Sequence, residues 1–328
     1  MFLVRGIAVS FSVFVVLYGA LSLLVCGLWR RILWRRMKTG PGSRQHSAKR
    51  SADLLFALRV APFLVASGAT LAFAVPSFLL LEPRSVDEPM SAVPVALGLC
   101  GMAALLAGVW KAATAWVRAS RTVSRWSSNA RVLRSHALDS MDSISVMRIP
   151  GAAPPLTAAG IVRPSVWLSQ AAEFVLTERE LQTALRHEVA HVRRCDNLRK
   201  LVLRMVAFPG MAKFESSWRE AAEMAADDDA VSSASEALDL AAAVIKLSRL
   251  APLAPAAELT TALVNSPAES LNARVERLLA WTEPRQTPPH RYSFVYAFCA
   301  AAVMVVTLAV TYSQLLVRVH AATEWLVR

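Results

Sequence analysis

Residues 177–196 read TERELQTALRHEVAHVRRCD. Thr177 followed three residues later by Glu180 is a capping-box pattern, which predicts a helix that begins at Glu178. Within that helix His187 and His191 are four residues apart, so their imidazoles lie one above the other on the same face. The stretch therefore predicts a helix that offers two nitrogen ligands to one metal ion.

The residue between these histidines suggests hydrolytic chemistry. Glu188 directly follows the first imidazole and can reach the open coordination position of a shared metal, where it would act as a general base on water. Zinc fits such a site because it is tetrahedral, accepts imidazole and carboxylate ligands and leaves its fourth position open. With no second ligand cluster nearby, we expect one zinc per chain. The alternative is a solvated face of an amphipathic helix that carries two histidines.

A later helix offers the third ligand that this site needs. Glu220, Glu223 and Asp227 fall at i, i+3 and i+7 on one helical face. They could form an exposed acidic stripe, but the histidine motif requires one carboxylate here, either Glu220 or Glu223. Asp227 then has a supporting role, in which it accepts the other ring N–H of a ligating histidine. Asp228 and Asp229 are expected to be solvated.

The rest of the chain has the composition of a membrane protein. Of its 328 residues 55% are hydrophobic and only 18% are charged, and the mean hydropathy is +0.40. A membrane-spanning helix needs roughly 20 mostly apolar residues. Four uncharged windows of about that length occur, and they predict spans at 6–29, 60–81, 89–110 and 292–317.

The basic residues predict how these spans are oriented. The net charge is +12, and the positive residues gather in the loop 30–52 and directly after the third span, which places both regions on the cytoplasmic side. The N-terminus and the short tail 318–328 are then outside a bacterial-type inner membrane. The basic residues flank spans without interleaved aromatic residues, so lipid headgroups and no direct nucleic acid are the expected contacts. The scattered cysteines suggest neither a disulfide framework nor a cysteine metal site.

Between spans three and four, residues 118–291 are long enough to form a cytoplasmic domain. The segments 143–148 and 160–169 have strand character and predict a short hairpin, and helices are expected from Thr177 to about Trp281. An unpaired strand edge can hold an extended substrate through main-chain hydrogen bonds. Since Pro164 is compatible with an edge position, we expect Val166, Trp167 and Leu168 to border the cleft. The alternative is that this strand only flanks the metal-binding helix.

Taken together, three spans, a metallopeptidase insert and a fourth span resemble the BlaR/MecR-type membrane metallopeptidases, which are metallopeptidase family 56 of the gluzincin group. The resemblance extends from the first span to about residue 320. It is most specific in residues 160–168 (GIVRPSVWL), in His187 to His191 followed by Asp196, and in 219–227. It implies a mainly α, polytopic four-helix transmembrane protein with a cytoplasmic α+β zincin-like peptidase insert between spans three and four. Residues 1–117 would hold the first three spans.

The resemblance also implies residue roles. His187, His191 and Glu223 would be zinc ligands, Glu188 the catalytic base, and Asp227 the carboxylate that orients a ligand. Two features depart from the family. The step from His191 to Glu223 is short, and only residues 318–328 follow the fourth span, which leaves no β-lactam sensor domain in this chain.

The resemblance implies a membrane-embedded zinc endopeptidase that cleaves a cytoplasmic protein in signal transduction, with a transcriptional repressor as the expected substrate. Two alternatives remain open. One is an HtpX-type peptidase that removes misfolded membrane proteins, although three spans before the zinc helix and one after fit the receptor family better. The other is a non-catalytic membrane scaffold, against which Glu188 argues because a scaffold needs no general base.

Overall fold

We analysed a computed structural model of the chain. It describes residues 2–29, 31, 48–83, 91–132, 144–150, 154–206, 208–250, 259–263, 268–281 and 311–324. Over this part of the chain the protein is mainly helical, with a small sheet. The predicted fourth span, 292–317, lies for the most part outside the described residues, and only a final helix, 311–324, is described there.

Three helices are long and apolar enough to cross a membrane, so the protein is a membrane protein. Helix α1 is Phe2–Leu28. The second candidate span, Ala48–Leu81, consists of α2 (Ala48–Ala69), a π-helical turn (Thr70–Ala74) and α3 (Val75–Leu81). The third is α4, Ala92–Ser127. The π turn directly precedes Pro76, whose missing N–H interrupts the regular hydrogen-bond ladder.

Two of these helices are longer than the apolar windows that predicted them. Helix α2 begins at Ala48, inside the predicted loop 30–52, and α4 continues to Ser127. At 1.5 Å per residue α4 is about 54 Å long, which exceeds the roughly 30 Å of a bilayer core. Helical backbone bonds do not end where apolar side chains end, so both helices extend past their windows.

The chain divides into two compact units. The first comprises Met1–Arg36, Leu58–Ala107 and Arg285–Arg328, and the second comprises Met37–Ala57 and Gly108–Pro284. The second unit therefore contains the start of α2 and the end of α4 as well as the sheet and the histidine helix. Gly108 lets α4 approach another segment of this unit, because a Cβ at that position would lie 2.2 Å from the Met205 carbonyl oxygen.

The sheet of the second unit has five described strands. They are β1 (Arg131–Val132), β2 (Val146–Ile149), β3 (Leu156–Ala159), β4 (Ser165–Ser169) and β5 (Thr260–Ala262). Their order is β1-β2-β4-β3-β5. Strand β4 pairs in parallel with β2 and antiparallel with β3, while β5 pairs antiparallel with β3.

The predicted hairpin had the wrong partner. Strand β4 forms its hairpin with β3 through the turn that begins at Gly160, where φ is +100°. The segment 154–159 was not predicted to be a strand because it begins with two prolines and ends with two alanines, which have low strand propensity. Strand β5, in a region expected to be helical, was also missed.

The remaining helices pack on this sheet. They are α5 (Gln170–Val175), α6 (Glu178–Arg193), α7 (Asp196–Met205), α8 (Ala212–Ala230), α9 (Ala234–Leu250) and α10 (Ala268–Leu279). Helix α6 lies against both α8 and α9 and also contacts β3. Leu185 and Val189 of α6 join Leu168 of the sheet and Leu240 of α9 in the main hydrophobic core. This packing buries one side of α6 and fixes the direction in which its histidines point.

Candidate metal centre

The start of α6 has the capping box that the sequence predicts. The Thr177 hydroxyl accepts a hydrogen bond from the Glu180 amide at 3.4 Å, and the Glu180 carboxylate accepts one from the Thr177 amide at 2.8 Å. Lys246 of α9 also donates to the Glu180 carboxylate at 2.7 Å. These bonds fix where α6 begins and tie its first turn to α9, so the position of the histidines three turns later is defined.

The two histidines and one carboxylate come together inside the second unit. The Nε2 atoms of His187 and His191 are 3.2 Å apart. Glu223 of α8 places one carboxylate oxygen 3.5 Å from Nε2 of His187 and the other 3.6 Å from Nε2 of His191. Both imidazoles are buried. These three side chains could hold a metal ion.

The separations match a tetrahedral ion. Zinc–nitrogen and zinc–oxygen bonds of about 2.0–2.1 Å imply ligand atoms about 3.3–3.4 Å apart along the edges of a tetrahedron. The three measured separations, 3.2, 3.5 and 3.6 Å, lie close to that value. The donor set of two imidazole nitrogens and one carboxylate also suits such an ion, so the residues present fit the group that the sequence implies.

Two further carboxylates orient the imidazoles. Nδ1 of His187 lies 3.0 Å from an oxygen of Asp227, and Nδ1 of His191 lies 2.7 Å from an oxygen of Asp196. A hydrogen on each Nδ1 leaves the Nε2 lone pairs free for a metal. The contact of Asp227 was predicted, whereas Asp196 had no assigned role. Asp196 reaches back because Cys195, which joins α6 to α7, adopts the left-handed conformation with φ 55°.

Arg274 of α10 is a central residue that sequence reasoning missed. It is buried and donates to both oxygens of Asp227, at 2.6 and 2.9 Å. Its third nitrogen donates to the Leu263 carbonyl at 2.9 Å and lies 3.0 Å from an oxygen of Glu223. One guanidinium group thus holds both the ligand carboxylate and the carboxylate that orients His187.

The local electric field favours a cation between the imidazoles. Burial opposes charge on His191, but Glu223 and Asp196 more than compensate for it and raise the pKa of His191 to about 10. Burial also opposes charge on Glu223, yet the Arg274 guanidinium and the His191 imidazole hold the pKa of Glu223 well below its usual range. The pKa of Asp227 is lowered, chiefly by Arg274. A field that stabilises a proton on an imidazole also stabilises a divalent cation at the same place.

Glu188 has the environment of a general base. It is fully buried, and burial raises its pKa to about 7. One of its oxygens accepts a hydrogen bond from the Ala158 amide of β3 at 2.8 Å and lies 3.5 Å from the Thr261 hydroxyl of β5. Its other oxygen forms no hydrogen bond with the described residues. The sheet thus holds one oxygen and leaves the other able to exchange a proton.

The remaining acidic residues of α8 are separated by the packing of that helix. Glu220 is exposed and does not join the histidine cluster, so the structure brings Glu223 to the imidazoles. Asp229 is exposed, as predicted for it. Asp228 is not simply solvated, because it forms an ion pair with Arg277 of α10, and burial raises its pKa to about 6.

The substrate-edge prediction for Val166, Trp167 and Leu168 was wrong in its placement of that strand. Strand β4 is interior to the sheet, with β2 on one side and β3 on the other, and all three residues are buried. Its run of apolar residues without alternation is typical of a strand that is covered on both faces. The strand whose amide touches Glu188 is β3, and β5 covers its other edge.

Comparison of the chain with protein-family models and with curated protein sequences found no match.

Proposed function

We propose that this chain is a membrane-anchored zinc endopeptidase. The observation that carries the proposal is the convergence of His187, His191 and Glu223 at tetrahedral separations beside the buried carboxylate of Glu188. The resemblance of the sequence to the BlaR/MecR-type metallopeptidases supports the same function. A scaffold would gain nothing from burying four carboxylates and two imidazoles at the centre of a domain, since such groups are costly to desolvate.

Peptide hydrolysis assigns a definite task to each residue. His187, His191 and Glu223 would hold the ion, and zinc in a three-ligand site polarises a carbonyl and makes water acidic near neutral pH. Glu188 would accept the proton of the attacking water as the carbon–oxygen bond forms. It would then return that proton to the leaving amine as the carbon–nitrogen bond breaks. A Glu188 pKa of about 7 suits both halves of this exchange.

The substrate we propose is a cytoplasmic protein, with a transcriptional repressor as the class that the family resemblance favours. The clustering of basic residues in 30–52 and after the third span supports a cytoplasmic location for the second unit and an inner-membrane location for the chain. In this arrangement the peptidase would act on a soluble partner at the membrane surface. The fourth span, 292–317, belongs to this proposal.

Cleavage can be tested by a comparison of cells in which the substrate is not specified in advance. Cells that produce the wild-type chain, Glu188→Gln or Glu220→Gln at equal levels are compared for newly formed protein N-termini. Wild type and Glu220→Gln should generate the same set, because Glu220 is exposed and outside the cluster. Glu188→Gln should generate none of them while it retains bound metal. The same N-termini in cells with Glu188→Gln would contradict the proposal.

A further inference from the structure

The second unit contains a polar cavity of about 440 Å³ beside the C-terminal half of α6. Four basic residues and one acid line it together with Val189 and Ala190; they are Lys49, Arg186, Arg193, Arg194 and Asp229. The lining thus carries three more positive than negative charges. Its volume lies within the range of small-molecule sites, and no residue of the proposed catalytic set belongs to it.

Arg194 shows that the cavity is more than a patch of solvated charge. Its side chain is only 6% exposed. All three guanidinium nitrogens are buried and form no hydrogen bond with the described part of the chain. Its ion pair with Asp196 spans 3.7 Å, which is too long for a hydrogen bond. A buried guanidinium with five unused N–H donors is costly unless acceptor oxygens meet it.

The position of these residues at the end of α6 does not by itself account for this arrangement. Basic residues are favoured in the last turn of a helix because they interact with its dipole. That effect operates on exposed side chains and requires no burial. Lys49, moreover, comes from the first turn of α2, and Arg186 lies two turns before the end of α6. Residues from separate elements therefore line one cavity with the same charge.

We infer that this cavity binds a phosphate group, carried either by a lipid headgroup or by a soluble phosphate. Arginine forks match phosphate oxygens in a bidentate manner. A phosphate monoester carries about −1.5 to −2 charges and three strong acceptor oxygens, which suits a lining with a surplus of three positive charges better than one carboxylate does. Arg186 already pairs with Glu236 at 2.6 Å, so Arg194 and Lys49 are the residues through which the site is tested.

The test uses the full chain in an uncharged detergent and a phosphate-free buffer that contains a chelator, so that phosphate cannot bind through a metal. Inorganic phosphate is titrated while the melting temperature and the heat of binding are recorded. In parallel, the chain is mixed with vesicles of phosphatidylcholine alone or with added phosphatidic acid, and bound lipid is identified by native mass spectrometry. Saturable binding of inorganic phosphate indicates a soluble source, and selective retention of phosphatidic acid indicates a lipid source.

Variants decide whether such binding occurs in this cavity. Arg194→Met and Lys49→Gln should each weaken binding about 10-fold to 100-fold, the usual effect of losing hydrogen bonds to a charged group. Arg179→Gln is the matched control, since Arg179 is exposed on the first turn of the same helix and does not line the cavity. Lys49 is exposed, so Lys49→Gln remains informative if Arg194→Met does not fold. Absence of binding to both probes, or equal binding by wild type and Lys49→Gln, would overturn the inference. Neither readout depends on zinc or peptidase activity.

Discussion

The two histidines of the centre are supported in different ways. On the His187 side, Asp227 has both oxygens bonded, because Arg274 donates to each of them and His187 contacts one. On the His191 side, Asp196 contacts the imidazole with one oxygen, and its other oxygen is buried without a hydrogen bond to any described residue. The guanidinium of the neighbouring Arg194 is equally unsatisfied over the same part of the chain. One side is therefore a closed network, and the other borders the cavity and is incomplete within the described residues.

This difference suggests that the two sides serve different ends. A closed buried network holds one geometry, since every member would lose a partner if it moved. An incomplete one can respond to an occupant that supplies the missing acceptors. We therefore expect the His187 side to determine stability and metal affinity, and the His191 side to be more tolerant.

The largest effect is expected from breaking the closed side. Arg274→Met leaves Glu223 and Asp227 buried without their guanidinium partner, and breaking a buried pair in this way costs about 3–5 kcal/mol. Chemical denaturation should show this loss. The control is Arg277→Met on the same helix, whose partner Asp228 is partly exposed, and it should cost about 1 kcal/mol or less. Equal losses in the two variants would contradict the contrast between a buried network and a surface pair.

The next prediction concerns Glu188, which lies between the two sides and has a raised pKa. Its neutral form is favoured in the folded chain, so its contribution to stability is present below its ordinary pKa and is lost as the pH rises through about 7. In chelator-treated protein, Glu188→Gln should therefore become more stable than wild type as the pH increases. The gap should reach on the order of 3 kcal/mol above pH 8. Melting temperatures across this range test it, and a gap that shrinks with rising pH would be the opposite result.

A direct comparison of the two orienting carboxylates follows. Asp227→Asn and Asp196→Asn should each lower zinc affinity by about 10-fold to 100-fold, the usual effect of changing a residue that orients a ligand. The loss should be larger for Asp227→Asn, because that change also removes the charge that Arg274 faces. Competition with a metallochromic chelator measures both affinities. A larger loss in Asp196→Asn would reverse the assignment of the two sides.

The smallest effect is expected at the bend that positions Asp196. Cys195 has φ 55°, where a non-glycine residue costs roughly 1–2 kcal/mol. Cys195→Gly should change stability little, because relief of that strain offsets the added flexibility of the unfolded chain. Cys195→Val should destabilise by about 1–2 kcal/mol, since a β-branched side chain fits this conformation poorly. Thermal melts of the two variants should thus differ, and identical melts would mean that the bend is unimportant.

The helical half of the site could be predicted from sequence because its information is local. The spacing of His187 and His191 and the box at Thr177 and Glu180 depend only on helix periodicity and capping, and the structure has both. The sheet was harder because its pairing depends on distant segments. Strand β3 is rich in alanine, and β5 follows β3 by about a hundred residues in the chain.

Arg274 shows what a closer reading of periodicity could have found. It falls on the apolar face of α10 with Leu271, Val275 and Leu278, all of which contact the main core. A single cation on such a face must be paired when it is buried. That pattern predicts a buried partner but cannot identify it, because Asp227 lies on another helix.

The most direct test of the proposed metal centre is X-ray absorption at the zinc edge, together with zinc analysis, on the full chain in detergent. We predict one zinc per chain with two imidazoles and only nitrogen or oxygen ligands at about 2.0–2.1 Å. His187→Ala and Glu223→Ala should lose the ion, and Glu188→Gln should retain it with the same spectrum. Absence of zinc from the wild-type protein, or a sulfur ligand at about 2.3 Å from a residue such as Cys195, would contradict the assignment.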